Sequence, residues 1–243
     1  MIIAHDGQKS EAVEIVAADY PSIRFVVVQA NVTGADLSSY EVLQEESAWL
    51  AGTAAGLMTE TEVVGHISGI RVTPGLKGRG AFYNGLMHTN PDAEFLTTFA
   101  GDQDEKALAG KVARANISAG SDIIFTMLNA GREGATDAMR EEGVKQFGNV
   151  RDWVTVDPEA FMGSAIANVS MAALTAAQDL EQGQWEAGQI VQMGLDDSNA
   201  VSLSLSSDIP DEVRAELGVL RQAIIDEEIE VSVSYDGKEL ELP

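Results

Sequence analysis

The stretch Ser121-Asp122-Ile123-Ile124-Phe125-Thr126-Met127-Leu128-Asn129-Ala130-Gly131-Arg132-Glu133-Gly134 decides the fold of this chain. An apolar run ends in a small polar turn with glycine, and the turn leads into a helical segment. The arrangement occurs twice more, where Glu94–Phe99 leads into Ala100–Asp104 and Val144–Phe147 leads into Gly148–Trp153. Strands that lead into helices build an open parallel sheet, whose ligand crevice lies beyond the carboxyl ends of the strands. The three turns are therefore predicted to line one rim and to bind a small molecule.

The rest of the chain alternates helices and strands in the same way, which predicts an α/β protein. The predicted helices are Lys9–Tyr20, Glu45–Met58, Leu76–His88, Glu105–Ala119, Gly134–Glu142 and Pro210–Asp226, and Phe161–Leu180 is predicted as a strand followed by a helix. The other predicted strands are Ile2–Ala4 (ended by a polar turn at residues 5–8), Ile23–Val28, Val63–Ile67, Ile190–Leu195, Val201–Leu205 and Ile229–Val233. Residues Asn31–Ser39 are predicted as a polar connection. The small residues of Glu45–Met58 predict a helix that lies close to its neighbours.

Composition excludes several classes of protein. The chain has 243 residues, 39 acidic and 15 basic, for a net charge of −24, so nucleic acid and anionic membranes should repel it. The acidic excess favours a solvated acidic surface or, alternatively, a cationic ligand. Without cysteine there is no thiol chemistry, and the three histidines are spaced too far apart to predict a metal site. No apolar stretch reaches the ~18–20 residues of a membrane span.

Catalysis and cofactor binding lack a sequence signature. The glycine-containing turns do not match GxGxxG, no phosphate-binding loop is present, and no serine stands in a nucleophile elbow. We therefore predict no catalytic residues, no cofactor and no enzymatic activity.

The order of several motifs resembles the basic membrane protein (PnrA-like) family. The motifs are Glu46–Gly52, Ala54–Thr59, Val64–Gly69, Phe82–Gly85, Asn90–Asp92, Gly120–Phe125, Gly148–Asp152 and Ile229–Val231. Members are substrate-binding proteins of bacterial ABC transporters that capture purine nucleosides. The resemblance implies a type I periplasmic-binding-protein-like fold, with two parallel-sheet lobes that close on a ligand in an interlobe cleft. It places residues 1–60 in lobe one, 61–164 in lobe two, and 165–243 in a crossover, a returning helix of lobe one and the C-terminal elements.

Family members carry a further stretch before the point that matches Met1, with a signal, a lipid-attachment cysteine and the first βα units. We therefore expect lobe one to be incomplete here and the chain as given to show no signal peptide. An incomplete lobe would leave sheet edges uncovered, which favours a homodimer. By resemblance, the protein is periplasmic or membrane-anchored outside the cytoplasm.

The resemblance also implies a set of ligand-binding residues. Asp152 matches the family's ribose-binding aspartate, and Trp153 follows it. Gln103 replaces a stacking aromatic residue, with Asp104 near the acid of that turn. Asn168 lies on the crossover, at the hinge.

The chemistry of these side chains agrees with a polar ligand. Asp152 can accept hydroxyl or amine donors, Trp153 can stack, and Gln103 and Asn129 can read an amide or base edge. Arg132, at a helix start, can bind a carboxylate or phosphate. The alternatives are that Asp152 caps a turn, that Trp153 belongs to the core, and that Arg132 pairs with Asp137 or Glu133.

These residues predict the solute-binding component of an ABC importer. It would bind a small polar, nucleoside-like ligand and dock on a membrane permease. A ligand-sensing regulatory module and an enzyme that acts on nucleosides or sugars remain alternatives.

Overall fold

The computed structural model describes residues 1–5 and 10–241. The helices are α1 (Ser10–Asp19), α2 (Gln44–Met58), α3 (Thr73–Thr89), α4 (Lys106–Ser118), α5 (Arg132–Glu142), α6 (Ser170–Gln182) and α7 (Asp211–Ile225). The strands are β1 (Ile2–His5), β2 (Phe25–Val28), β3 (Leu37–Val42), β4 (Val63–Ser68), β5 (Glu94–Phe99), β6 (Ile123–Met127), β7 (Lys145–Val150), β8 (Phe161–Ala167), β9 (Ile190–Met193) and β10 (Val201–Leu205). The predicted turn at residues 6–8 and the predicted helix start at Lys9 lie outside the described residues.

The chain folds into two compact units. The first comprises Met1–Leu43 and Ala167–Val201, and the second comprises Gln44–Ile166 and the residues from Ser202 onward. This division differs from the predicted boundary at residue 60, because α2 packs against α3 and α7 within the second unit. The C-terminal residues after Ser202 also belong to the second unit, since α7 contacts α2.

The first unit is built on a parallel sheet with the strand order β1-β2-β3-β9. Its core includes Phe25, Val27 and Leu37, which pack with Ala17 of α1. The predicted polar connection was too long, because β3 begins at Leu37. Ser38 and Ser39 of β3 are buried, and their hydroxyl groups donate to backbone carbonyl oxygens.

The second unit contains a six-stranded sheet with the order β10-β8-β7-β6-β4-β5. The strands from β4 to β8 are parallel to their neighbours. On one face Ile67 and Ile124 pack under α4 and α5. On the other face Phe125 stacks on Phe82 of α3, with ring centroids 4.7 Å apart. Helices therefore cover both faces, as the βαβ pattern predicts.

Helices α2 and α3 pack backbone against backbone. A Cβ atom added at Gly52 would lie 2.8 Å from the carbonyl carbon of Phe82, and one added at Gly85 would lie 2.9 Å from that of Trp49. Only glycine fits at these two positions, so the close packing predicted from the small residues of α2 is confirmed.

The predicted strand Ile229–Val233 does not form. The segment after α7 instead lies across α3 in irregular backbone, and the Asn84 amide donates to the carbonyl oxygens of Ser232 and Ser234 at 3.3 and 2.9 Å. The backbone of Val233 lies so close to Gly80 that a side chain there would overlap it. The β-branched residues of this segment thus cover a helix and add no strand to the sheet.

Candidate ligand-binding site

The topology of the second unit fixes where a ligand can bind. The chain passes from β4 outward to β5 and then returns across β4 to β6, so the strand order reverses between β4 and β6. Open parallel sheets bind ligands at such a switch point, beyond the carboxyl ends of the strands. The turns after β5, β6 and β7 meet at this end of the sheet, which confirms that they line one rim. We call residues 100–105, 128–132 and 148–153 the rim turns.

The first two rim turns are joined over the end of β4 by backbone hydrogen bonds. The Gln103 carbonyl oxygen accepts from the amides of Asn129 (3.0 Å) and Gly131 (3.1 Å), and the Asp104 carboxylate accepts from the Ala130 amide at 3.1 Å. A Cβ atom added at Gly69 would overlap the Gln103 side chain. Gln103 and Asp104 therefore hold the rim together, and Gln103 fills the space at the end of β4.

Arg132 connects the second rim turn to the third. Its side chain is only 3% exposed and donates from Nη1 to the Thr126 carbonyl oxygen (2.9 Å) and from Nη2 to the Leu128 carbonyl oxygen (2.9 Å) and Asn149 Oδ1 (2.5 Å). Neither Asp137 nor Glu133 pairs with it, since Asp137 contacts Arg140 and Glu133 contacts Lys106. Nε is buried without a partner in the described chain.

Burial, and then the neighbouring charge of Arg151, lowers the pKa of Arg132 to about 9. The guanidinium group is thus a buried cation whose charge no carboxylate neutralises among the described residues. Asn129, by contrast, is exposed at the tip of its turn and free to contact a solute.

Trp153 is packed between the rim turns. Its ring stacks on Phe161 with centroids 5.5 Å apart, and its Nε1 donates to the Asn149 carbonyl oxygen at 2.9 Å. Two guanidinium carbons, of Arg132 and Arg151, lie 4.5 and 4.1 Å from the ring centroid. The ring is therefore engaged mainly by protein groups, as in the alternative that assigned it to the core.

One carboxylate oxygen of Asp152 is held by protein donors, and the other has no donor among the described residues. Oδ1 accepts from the Ser204 hydroxyl at 2.8 Å and from the Val154 amide at 3.1 Å. Within the part of the chain that the structure describes, Oδ2 accepts no hydrogen bond, and the residue is half-buried. The carboxylate is therefore held in place and can still accept a donor from a solute.

The structure places Asn168 in the other unit. Its side chain is exposed after β8, and its backbone amide donates to the Ala200 carbonyl oxygen at 2.8 Å. The remaining predicted site residues all belong to the rim turns of the second unit.

Sequence reasoning missed three features of the third rim turn. Arg151 is exposed beside Trp153, Ser204 fixes Asp152, and Val150 has a left-handed backbone with φ of 72°. A β-branched residue rarely adopts this conformation, and such outliers concentrate at functional sites. Arg151 could have been found from the sequence, because it directly precedes Asp152 in the same turn. The role of Ser204 could not, because it depends on the pairing of β10 with β8.

No metal site is evident in the described residues. Among residues 1–5 and 10–241, no group of three or more His, Asp or Glu side chains is placed to hold a metal ion. His66 lies among Phe95, Phe99 and Phe125, and its Nδ1 is 2.9 Å from Thr97 Oγ1. Burial, and then the charge of Arg79, lowers the pKa of His66 to about 3, so it is neutral at physiological pH. Its role is in the core.

The family of the chain follows from a family-model match. The model described as "ABC transporter substrate-binding protein PnrA-like" (Bmp) matches residues 1–234. The chain therefore belongs to the Bmp family of ABC transporter substrate-binding proteins, as the motifs predicted. No described helix is long and apolar enough to span a membrane.

Two individual relatives are distant in sequence. The chain is 23% identical over 202 residues to transcriptional activator protein med of Bacillus subtilis, which covers 80% of this chain and 63% of that protein. It is 28% identical over 200 residues to basic membrane protein B of Borreliella afzelii, which covers 81% of this chain and 57% of that protein. The chain thus spans about three fifths of the length of these relatives.

Solved structures share the fold. An ABC transporter solute-binding protein from Aeropyrum pernix superimposes with a TM-score of 0.81 over 96% of this chain and 78% of that chain, at 20% identity. This likeness confirms the predicted α/β fold of the periplasmic-binding-protein type.

Proposed function

We propose that this chain is the solute-binding component of an ABC importer and that it binds a small polar solute at the rim turns. The observation that carries the proposal is the convergence of three turns at the switch point of the second sheet, which brings Asn129, Arg151 and Asp152 to one edge. The chemistry is hydrogen bonding and electrostatic attraction, with no bond broken.

The solute class follows from the groups that remain available. Asp152 Oδ2 accepts hydroxyl or amine donors, and the Asn129 amide both donates and accepts. A nucleoside or a related sugar-containing solute offers such groups. Trp153 is already packed against protein groups, so hydrogen bonding contributes more to recognition here than stacking on its ring.

The transporter role implies further partners and a location. The loaded protein would deliver its solute to a membrane permease, outside the cytoplasm, as a member of a substrate-binding family. Nucleic acid is an unsuitable partner for a chain with a net charge of −24.

We also propose a homodimer through the edge of the first sheet. β1 is an edge strand with Ile2 48% and Ile3 38% exposed, and Ile15 of α1 is 62% exposed. Antiparallel pairing of two β1 edges would cover these side chains and close the assembly. Light scattering across a concentration series should show a dimer that Ile3→Lys disrupts, and a monomer at all concentrations would contradict the proposal.

Ligand binding is tested by thermal unfolding in the presence of nucleosides, bases, sugars and amino acids. A solute at about 100 times its Kd stabilises the native state by about 2.7 kcal/mol, a readily measured shift. Asp152→Asn should weaken the binding of a stabilising solute. Asp211→Asn, which removes a carboxylate of α7, is the control and should leave that binding unchanged. A hit that both variants bind equally well would contradict the assigned site.

A regulatory role is the second candidate, and the similarity to an activator protein from Bacillus subtilis favours it. A regulator would bind its solute without needing a permease. Uptake of the identified solute by cells with and without the gene separates the two roles, because only an importer component changes the uptake rate.

A further inference from the structure

Within the described part of this acidic protein, two arginines of the rim turns have no acidic partner. The chain has 39 acidic and 15 basic residues, and elsewhere in the second unit Lys106, Arg114 and Arg140 each contact a carboxylate. Among the described residues, neither Arg132 nor Arg151 forms an ion pair. Both guanidinium groups lie against the Trp153 ring instead, at 4.5 and 4.1 Å from its centroid.

This arrangement is unfavourable in the absence of an anion. A buried charge without a counter-ion costs free energy, and two cations near one ring repel each other. Arg132 is only 3% exposed, and its Nε has no hydrogen-bond partner in the described chain. The indole ring offsets part of the cost through cation–π attraction, but it does not neutralise two charges.

We propose that the solute carries an anionic group, a carboxylate or a phosphate, which Arg151 binds directly and the buried charge of Arg132 stabilises. This inference rests on the proposed function, since it concerns the solute of the same rim. Arg151 is exposed, so an anion can reach it, whereas the Nη atoms of Arg132 already donate to Thr126, Leu128 and Asn149. Arg132 is therefore a positioning residue.

The adjacent carboxylate adds a second requirement. Asp152 Oδ1 is held by Ser204 and Val154, and its Oδ2 faces no protein donor in the described chain. A matching solute thus combines an anionic group with hydroxyl or amine donors. Sugar acids, sugar phosphates, nucleoside monophosphates and amino acids share this chemistry.

The test compares matched neutral and anionic probes by calorimetry. Glucose, glucuronate and glucose 6-phosphate form one series, adenosine and adenosine 5′-monophosphate a second, and each is measured at low and high salt. An anionic member should bind at least about tenfold more tightly than its neutral counterpart, because hydrogen bonds to charged groups have that strength. The glucuronate and phosphate arms distinguish the two anions.

Two variants make the result specific. Arg151→Gln should reduce the preference for the anion to within about twofold, because the anionic group loses its charged partner. Arg24→Gln is the matched control, because Arg24 also lies over a tryptophan ring, that of Trp185, at 5.4 Å in the first unit. It removes the same charge and should leave the preference intact. Far-ultraviolet circular dichroism verifies that both variants fold.

The outcomes separate this inference from the proposed function. Equal or tighter binding of the neutral members, or a preference that survives Arg151→Gln, would overturn the anion site and leave solute binding intact. Failure of every probe to bind the unmodified protein would contradict the proposed function at these rim turns, and the anion site with it.

Discussion

Replacement of Gly85 by alanine tests whether α2 and α3 pack backbone against backbone. The added Cβ would lie 2.9 Å from the carbonyl carbon of Trp49 and 3.0 Å from the amide nitrogen of Thr53. Side-chain Cβ atoms essentially never approach other atoms within 3.0 Å, so the two helices would have to separate. Backbone atoms cannot rotate away as a flexible side chain can.

The magnitude follows from two opposed effects. Overpacking a close contact costs about 1–3 kcal/mol, and occasionally more. Alanine favours a helix over glycine by about 0.8–1 kcal/mol. Because the obstacle is backbone, we place the first effect at its upper end and expect the free energy of unfolding to fall by about 2 kcal/mol.

Gly218→Ala provides the control. Gly218 lies in α7, where nothing lies within 4 Å of an added Cβ, so only the helix preference acts and stability should rise by about 0.5–1 kcal/mol. Urea unfolding followed by tryptophan fluorescence should separate the two midpoints by about 1.3–1.5 M for an m-value of about 2 kcal/mol/M. A Gly85→Ala protein as stable as Gly218→Ala would refute the backbone contact.

Three further changes test other parts of the second unit. Asp152→Asn should weaken binding of an identified solute by about 1.5 kcal/mol or more, whereas Ser204→Ala should cost less, because it removes only a protein donor to the same carboxylate; equal losses would contradict a direct contact with the solute. His66 has a pKa lowered from 6.5 to about 3, so the folded state resists protonation and stability is lost as the pH falls through that range. His66 should contribute about 1.4 kcal/mol per pH unit to the dependence of the free energy of unfolding on pH. That dependence should be correspondingly weaker in His66→Gln, and an unchanged dependence would contradict the contribution of His66. Tyr235→Ala should destabilise the second unit by about 1–3 kcal/mol, since the Tyr235 ring packs edge-on against Tyr83 with centroids 4.9 Å apart. Scanning calorimetry measures this loss, and an unchanged melting temperature would contradict the packing.

The local sequence was a good guide where the signal was periodic. Strands such as β6 are continuous apolar runs bounded by glycine turns, and helices such as α4 carry an apolar face, so both were predicted within a few residues. β3 was not predicted as a strand, because Ser38 and Ser39 look like connection residues. Their hydroxyl groups donate to the Glu186 and Val32 carbonyl oxygens at 2.7 and 2.6 Å, and only the folded chain supplies these acceptors.

The candidate site shows the same limit. The sequence identified the turns, and the rule that parallel strands end at one edge was enough to bring them together. The sequence could not show which side chains of these turns are buried and which groups they bind. Arg132 was predicted at a helix start, either as an anion-binding residue or paired with Asp137 or Glu133. The folded chain buries it instead, because Thr126 and Asn149 from two different strands offer acceptors on its inner side.

By itself, therefore, the sequence determined the alternation of elements, the place of the rim, and the family, because these depend on local periodicity and on the order of motifs along the chain. The tertiary structure alone decided that α2 belongs with the second unit, that Val233 covers α3, and that two arginines share the Trp153 ring. These outcomes depend on which atoms meet across long sequence separations. That is set by packing and by the satisfaction of buried polar groups, and neither is encoded in a local pattern.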